Sequence, residues 1–354
     1  MAGGESPYIQ TELDVYDFNS NQQLHFKMSI EATKHIQAHN MDILVISKIK
    51  YCFIMFLFSS TLFYCLFGFW TSNNTEVKLC RDARHFFIGI QYAGRLGNKM
   101  FQYSAAYSIA KANNLSLLIT ENDELREYFS LSALRSQNNG MPLCSRQVKE
   151  EIPSGFSSSM MNITINKKNI TLVGYFQSYK YWQDASDEIY EEFSFNEDVD
   201  EIASRFIAGV PTDTQKNMTL VGVHVRRADM STPGAQADGY TVPKMSYFKK
   251  AMEYFRQNYT NVKFIICSDD IAWCEENMNF QDVIISKGHS PIVDLAILSK
   301  CNHNIISTGS FGWWGAYLAG GQTVYYGYWP KPGSQLSKTV VKNDYFPPQW
   351  IPML

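Results

Sequence analysis

The stretch Gly222-Val223-His224-Val225-Arg226-Arg227-Ala228-Asp229 sets two guanidinium groups directly after an apolar, β-branched run, Leu220 to Val225. A strand inside a sheet avoids charge, so paired arginines at its exit are simply explained by an anion held there. Open α/β sheets bind ligands in the crevice beyond the carboxyl ends of their strands. The guanidinium fork suits phosphate, because it donates two hydrogen bonds in one plane. Successive side chains on a strand leave on opposite faces, so Arg226 and Arg227 are expected to point apart. The competing reading is a pair of surface arginines that meet acids, Asp229 among them.

A second segment offers complementary chemistry. Ser307-Thr308-Gly309-Ser310-Phe311 follows the apolar run Asn304 to Ser307 and opens a run that Gly320-Gly321 closes. Free backbone amides at a helix start form an anion site. Ser310 reads as the N-cap and the glycine pair as the stop. The arginine pair, Arg226 and Arg227, and this junction together would hold one diphosphate from two sides. Trp313 and Trp314, on the same helix, are better explained as core. A third Gly-rich turn, Gly94-Arg95-Leu96-Gly97-Asn98, lacks both the dinucleotide G-x-G-x-x-G spacing and the P-loop lysine. The only Asp-x-Asp triplet, Asp198-Val199-Asp200, opens an acidic helix instead of ending an apolar strand. Asp269-Asp270 does end a strand, but adjacent side chains diverge. No catalytic metal is therefore expected, and arginine supplies the counter-charge.

The positioning elements alternate. Phe86–Gln91 and Leu115–Thr120 read as strands flanking a helix from about Asn98 to Asn113, and Leu172–Tyr175 as a short strand. Residues 136–160 read as loop, and Asp184–Phe206 as acidic helix. Leu220–Val225, Val262–Cys267, Asn304–Ser307 and Thr323–Tyr326 read as strands, with helices over Met245–Gln257 and Ile292–Ser299. Such alternation argues for an α/β fold with parallel strands.

In front of this body lies Tyr51 to Trp70, twenty residues with no charge and six phenylalanines. It is long enough to cross a hydrocarbon core of about 30 Å, with aromatic residues at both ends. It starts too late and runs too long for a cleaved signal peptide. Lysines and arginines flank both sides, so charge does not orient it. The sequons do: Asn73, Asn114, Asn162, Asn169, Asn217 and Asn258 all follow the span, which indicates a glycosylated lumenal side. Residues 1–50 then form a cytosolic tail, 51–70 the anchor and 71–85 a stem, and about 270 residues remain for the body. Outside the span the cysteines are Cys80, Cys144, Cys267, Cys274 and Cys301. The odd number leaves one thiol free or linking two chains, so a homodimer is allowed. Cys267 reads as a buried thiol. A net charge of −3 gives no nucleic-acid bias.

With these residues in place, the chain resembles the galactoside α1,2-fucosyltransferases, glycosyltransferase family 11. His224 to Asp229 carries that family's His-x-Arg-Arg-x-Asp donor signature. Gly94 to Phe101, Phe264 to Asn277 and Asn302 to Gly321 extend the likeness over nearly the whole body. The resemblance implies a GT-B-like fold of two Rossmann-type domains behind a single transmembrane helix, with an acceptor-side domain over 86–216 and a GDP-fucose-binding domain over 217–354. It implies inverting, metal-free transfer of L-fucose from GDP-fucose to the 2-hydroxyl of a terminal galactose on a glycan, in the Golgi membrane with type II topology. Arg226 and Asn98 would be catalytic. His224, Arg226, Arg227, Asp229, Ser307, Thr308, Ser310 and Phe311 would form the donor site, and Gly94, Arg95, Gly97 and Asn98 the acceptor cleft. No general base is assigned; Asp229 and Asp294 are the acids considered. Two rivals are a membrane-anchored glycan-binding protein and a catalytically silent family member.

Overall fold

A computed structural model describes residues 86–136, 145–164, 168–211 and 218–354. The expected tail, the Tyr51–Trp70 span, the stem, Asn73, Asn217, Cys80 and Cys144 lie outside the described residues. Among those described, no helix is long and apolar enough to cross a membrane. Chain contacts gather Glu76–Leu354 into one compact unit.

Two sheets organise that unit, and every strand pairing within them is parallel. The first runs β3-β2-β1-β5-β4, with β1 Phe87–Gln91, β2 Ser116–Thr120, β3 Leu134–Ser136, β4 Ser145–Lys149 and β5 Asn169–Val173. The second runs β11-β10-β9-β6-β7-β8, with β6 Thr219–Val225, β7 Val262–Ser268, β8 Val283–Ile285, β9 His303–Ile306, β10 Thr323–Tyr326 and β11 Ile351–Met353. Strands β6 and β7 are long and almost fully buried, as continuous β-branched runs demand in a sheet covered on both faces. The α/β, parallel expectation holds.

Two segments cross between the sheets. The Glu197–Ala208 helix packs with the Pro291–Ser299 helix of the second sheet, around Ala203, Ala296 and Cys301. A strap running from Ser334 to Phe346 returns to the first sheet. There Ser154 N donates to Thr339 O at 3.2 Å and accepts, through its carbonyl, from Val341 N at 2.8 Å. Asp344 accepts from Lys180 Nζ at 2.6 Å and Phe156 N at 2.9 Å. Between the sheets lies an aromatic core of Phe101, Trp182, Trp313, Trp314 and Tyr345. Trp313 and Trp314 are fully buried, as expected of core residues.

Several local readings change. The first helix spans Leu96–Ala112, starting two residues before Asn98. The 136–160 loop contains β4, an edge strand whose Ser-Arg-Gln-Val-Lys sequence is too polar to signal a core strand. The acidic segment 184–206 is two helices, Ser186–Glu192 and Glu197–Ala208, separated where Phe195 bridges to Phe129. Ser310 is the first helical residue and Gly309, at φ +94°, is the N-cap. The αL stop at Gly320 is as read. Asn169 is buried in β5, where its Oδ1 accepts from Phe87 N at 3.3 Å. A glycan has no room there, so that sequon is corrected to a structural asparagine. Asn114, Asn162 and Asn258 are exposed. Cys267 is buried as expected, and Cys274 and Cys301 are buried free thiols as well.

Candidate active site

Strand-to-helix turns from both sheets meet over a cleft of about 520 Å³. From the first sheet come Gly94, Arg95, Gly97 and Asn98, with Glu124 and Tyr128 from the short Glu124–Tyr128 helix after β2. From the second come His224, Arg226, Ser268, Asp269, His289, Asp294, Ser310 and Phe311.

The two helix starts touch. A Cβ on Gly97 would lie 2.7 Å from Ser310 C and 2.8 Å from Phe311 N, so only glycine allows this approach. Asn98 Oδ1 accepts from Ser310 Oγ at 2.6 Å and from Gln177 Nε2 at 2.9 Å. Both lone pairs are thereby used, and what Asn98 retains for a ligand is its Nδ2 donor. Trp314 Nε1 donates to Gly97 O at 3.0 Å. Neither the Leu96–Ala112 helix nor the Ser310–Ala319 helix has a side-chain cap at its N-terminus. Two partial positive charges therefore converge on one place.

Arg226 completes that field. Its Nε and Nη2 donate to Asp229 Oδ1 and Oδ2 at 3.0 and 2.7 Å. This uses the side edge of the guanidinium, and Nη1 lies against Gly309, where a Cβ would collide with it. Asp229 also pairs with Arg95 from the first sheet. The hydrogen bond from Arg226, the largest influence, holds the Asp229 carboxyl below its ordinary range, with Arg95 adding to it. Asp229 thus orients Arg226 as an ion pair, with the arginine side chain 17% exposed and bordering the cleft. The acid partner named in the surface-arginine reading is present, on a side chain that also lines the cleft.

The other expected donor residues sort by position. Ser307 Oγ accepts from Arg226 N at 2.9 Å, which fixes the strand exit. Thr308 Oγ1 is buried and has no hydrogen-bond partner among the described residues. Phe311 lines the cleft and leans on the His224 ring, 5.4 Å between centroids. His224 is pushed down to about 3, by burial first and by Arg226 second. It stays neutral and serves as packing, with Nδ1 3.3 Å from Ser307 Oγ. Arg227, also expected at the donor site, is not among the residues that line the cleft. Its guanidinium stacks on Trp273 at 3.9 Å and its Nε lies 3.4 Å from Asp270, while its N–H donates to Asp269.

Sequence reasoning left Asp294 without a facing and passed over His289. Asp294 lines the cleft, burial raises its carboxyl, and its Oδ1 accepts from Ser286 Oγ at 2.6 Å. The same Ser286 oxygen lies 2.9 Å from His289 Nδ1. The Pro291–Ser299 helix is apolar on nearly every side, so nothing in its pattern singles out the face bearing Asp294. Among the described residues no group of three or more His, Cys, Asp or Glu is placed to hold a metal ion. Asp200 instead pairs with Lys300 at 2.7 Å on the helix that the Asp-x-Asp opens.

Known proteins resemble most of the chain. Galactoside 2-alpha-L-fucosyltransferase SEC1 of Bos taurus is 30% identical over 322 residues, 85% of each chain. Galactoside alpha-(1,2)-fucosyltransferase 2 of Rattus norvegicus is 30% identical over 303 residues, 79% of this chain and 83% of its own length. The fold is similar to that of an Arabidopsis thaliana FUT1 variant solved in complex with GDP, at TM-score 0.50 and 11% identity, covering 76% of this chain and 77% of that one. Residues 55–353 match Glycosyl transferase family 11, and the chain belongs to that family.

Proposed function

We propose that this chain is a galactoside 2-α-L-fucosyltransferase that moves L-fucose from GDP-fucose to the 2-hydroxyl of a terminal galactose, with inversion and without a metal. The observation that carries the reading is the Arg226 guanidinium on the cleft wall, held by Asp229 beside two uncapped helix starts. The diphosphate fits there, and the orphaned Thr308 hydroxyl lies in the same junction. At the other end of the cleft, Asp294 offers a carboxylate to the paired N–H donors of guanine.

As the anomeric C–O bond breaks, its electron pair leaves with the β-phosphate and charge grows on those oxygens. Arg226 and the helix amides are already aimed at that position, so they bind the transition state more tightly than the ground state. The acceptor oxygen attacks the opposite face of the sugar, which inverts it, and the acceptor proton is lost late, to solvent water. Asp229 is a poor proton acceptor, because two arginines stabilise its charge. Asn98 Nδ2 is placed to steady a sugar hydroxyl between the two sheets.

The sequence further supports a type II arrangement in the Golgi membrane: tail in the cytosol, Tyr51–Trp70 as anchor, and the body lumenal with glycans on the exposed sequons. Detergent-solubilised full-length chain, offered a panel of nucleotide sugars and β-galactosides, should release GDP only from GDP-fucose and form an α1,2 linkage. Galactoside binding without GDP release would favour the glycan-binding or silent reading instead. Glycosidase treatment of the cellular protein should increase gel mobility. Sequons that are unmodified and open to protease in intact cells would reverse the topology.

A further inference from the structure

The loop after β5 is built more heavily than a surface turn requires. Glu150 accepts from Tyr175 N at 2.6 Å and also from Phe176 N, and burial raises this carboxyl. Gly174 at φ +150° and Phe176 at φ +50° flank Tyr175 in left-handed backbone. For Phe176, a bulky residue, such a conformation persists only where surrounding contacts enforce it. Gln102 Nε2 holds Gly174 O at 2.6 Å, and Gln177 Nε2 holds Asn98 Oδ1 at 2.9 Å. What this clamp presents is the Tyr175 ring, 39% exposed.

Sheet order says which substrate would meet that ring. This step rests on the function proposed above. On that reading guanine would lie at Asp294, beyond β7 and β8, and the diphosphate at Arg226 and Ser310, over β6 and β9. The donor would then run from β8 toward β9, with its sugar on the β9–β10 side. The strap joins that side of the second sheet to the β4–β5 side of the first. The β5 loop is accordingly the one the first sheet brings to the fucose. Gln177, two residues after Tyr175, donates to Asn98 of the cleft wall at 2.9 Å, which ties the loop bearing Tyr175 to the rim of the cleft.

We infer that Tyr175 is the stacking platform for the acceptor galactose and a specificity-determining residue for the transfer. Galactose gathers its C–H groups on one face, and that face packs on an aromatic ring while its hydroxyls stay free to hydrogen-bond. A ring fixed by the Glu150 clamp presents that surface without the entropy cost of ordering a loop. Ring selection of this kind favours galactose over sugars whose hydroxyls interrupt the apolar face.

The test uses detergent-solubilised full-length chain with methyl β-galactoside as acceptor. Tyr175→Ala should raise the acceptor KM at least tenfold while leaving the GDP-fucose KM and GDP-fucose hydrolysis within twofold. Tyr175→Phe should stay within threefold for all three, because the ring is retained. An unchanged acceptor KM in Tyr175→Ala, or an equal rise in donor KM, overturns the assignment. Saturation-transfer NMR of methyl β-galactoside in the presence of GDP reads the same platform without turnover. Signal lost in Tyr175→Ala but kept in Tyr175→Phe supports the platform, and equal signal in both overturns it. If the wild-type chain binds the galactoside through Tyr175 yet never consumes GDP-fucose, the transferase reading fails and the platform stands.

Discussion

Two strand-to-helix turns face each other across the cleft, Gly94–Asn98 after β1 and Ser307–Ser310 after β9, and they do different work. Both lead into helices without side-chain caps. At the first turn glycine creates nearness: Gly97 lets two helix starts come into backbone contact. At the second it makes room for charge: Gly309 lets the Arg226 guanidinium lie against the loop. One turn joins the sheets; the other, on the function proposed, would serve the leaving group. The same residue type answers two separate steric demands.

The largest effect should come from the charged turn. Losing one preorganised donor to developing charge costs about 3 kcal/mol, roughly a hundredfold in rate. Arg226→Ala and Arg226→Lys should each lose at least that in kcat, since lysine keeps charge but not the fork. Arg227→Lys, measured alongside, should lose less than tenfold, because Arg227 faces Trp273 and not the cleft. Near-normal transfer by well-folded Arg226→Ala would place the donor elsewhere.

The joining turn should fail differently. Gly97→Ala forces a methyl into the backbone of Ser310 and Phe311, and overpacking of this kind costs about 1–3 kcal/mol. Its urea midpoint should drop with the slope unchanged. A midpoint equal to wild type would mean the two turns separate freely.

Acid should discriminate between them next. Beneath the second turn lies His224, pushed down to about 3 when folded against about 6.5 unfolded. As pH falls from 6.5 the unfolded chain gains a proton that the folded chain refuses, so stability drops by up to about 1.4 kcal/mol per pH unit, levelling off below about 3. Carboxyls held low, such as Asp229, contribute in the same sense and those raised by burial, such as Asp294 and Glu150, in the opposite one, so the measurement is a difference. His224→Gln should show a shallower decline in unfolding free energy between pH 6 and 4. Parallel declines would show that the imidazole is free to protonate in place.

The smallest effect expected is from metal removal. Excess chelator should leave fucose transfer within a few-fold, since arginine and amides supply the counter-charge. A collapse reversed by manganese would refute that.

How much of this was legible depended on whether partners lay close along the chain. Strands β6, β7 and β10 were legible because unbroken apolar runs reflect burial on both faces. Strand β4 was not, since an edge strand with one partner tolerates polar residues. Arg226 was legible from its neighbours in sequence. The Asn98–Ser310 bond joins residues 212 apart, and the Ser286–Asp294 bond joins a loop to a helix with no polar stripe. Periodicity reports which face an element buries; it carries no information on which distant element that face will meet.

The strap also sets an order of events during synthesis. Lys180, Phe156 and Ser154 are made well over a hundred residues before Asp344 and Val341, their partners. While the second sheet is still emerging from the ribosome, the first lacks these bonds and the Tyr345 ring that stacks on Phe101. Contacts this distant in sequence slow folding and prolong the exposure of incomplete surfaces. The nascent first sheet would therefore be a client for chaperones until the strap arrives, and substitutions at Asp344 should be felt first as reduced yield of folded protein.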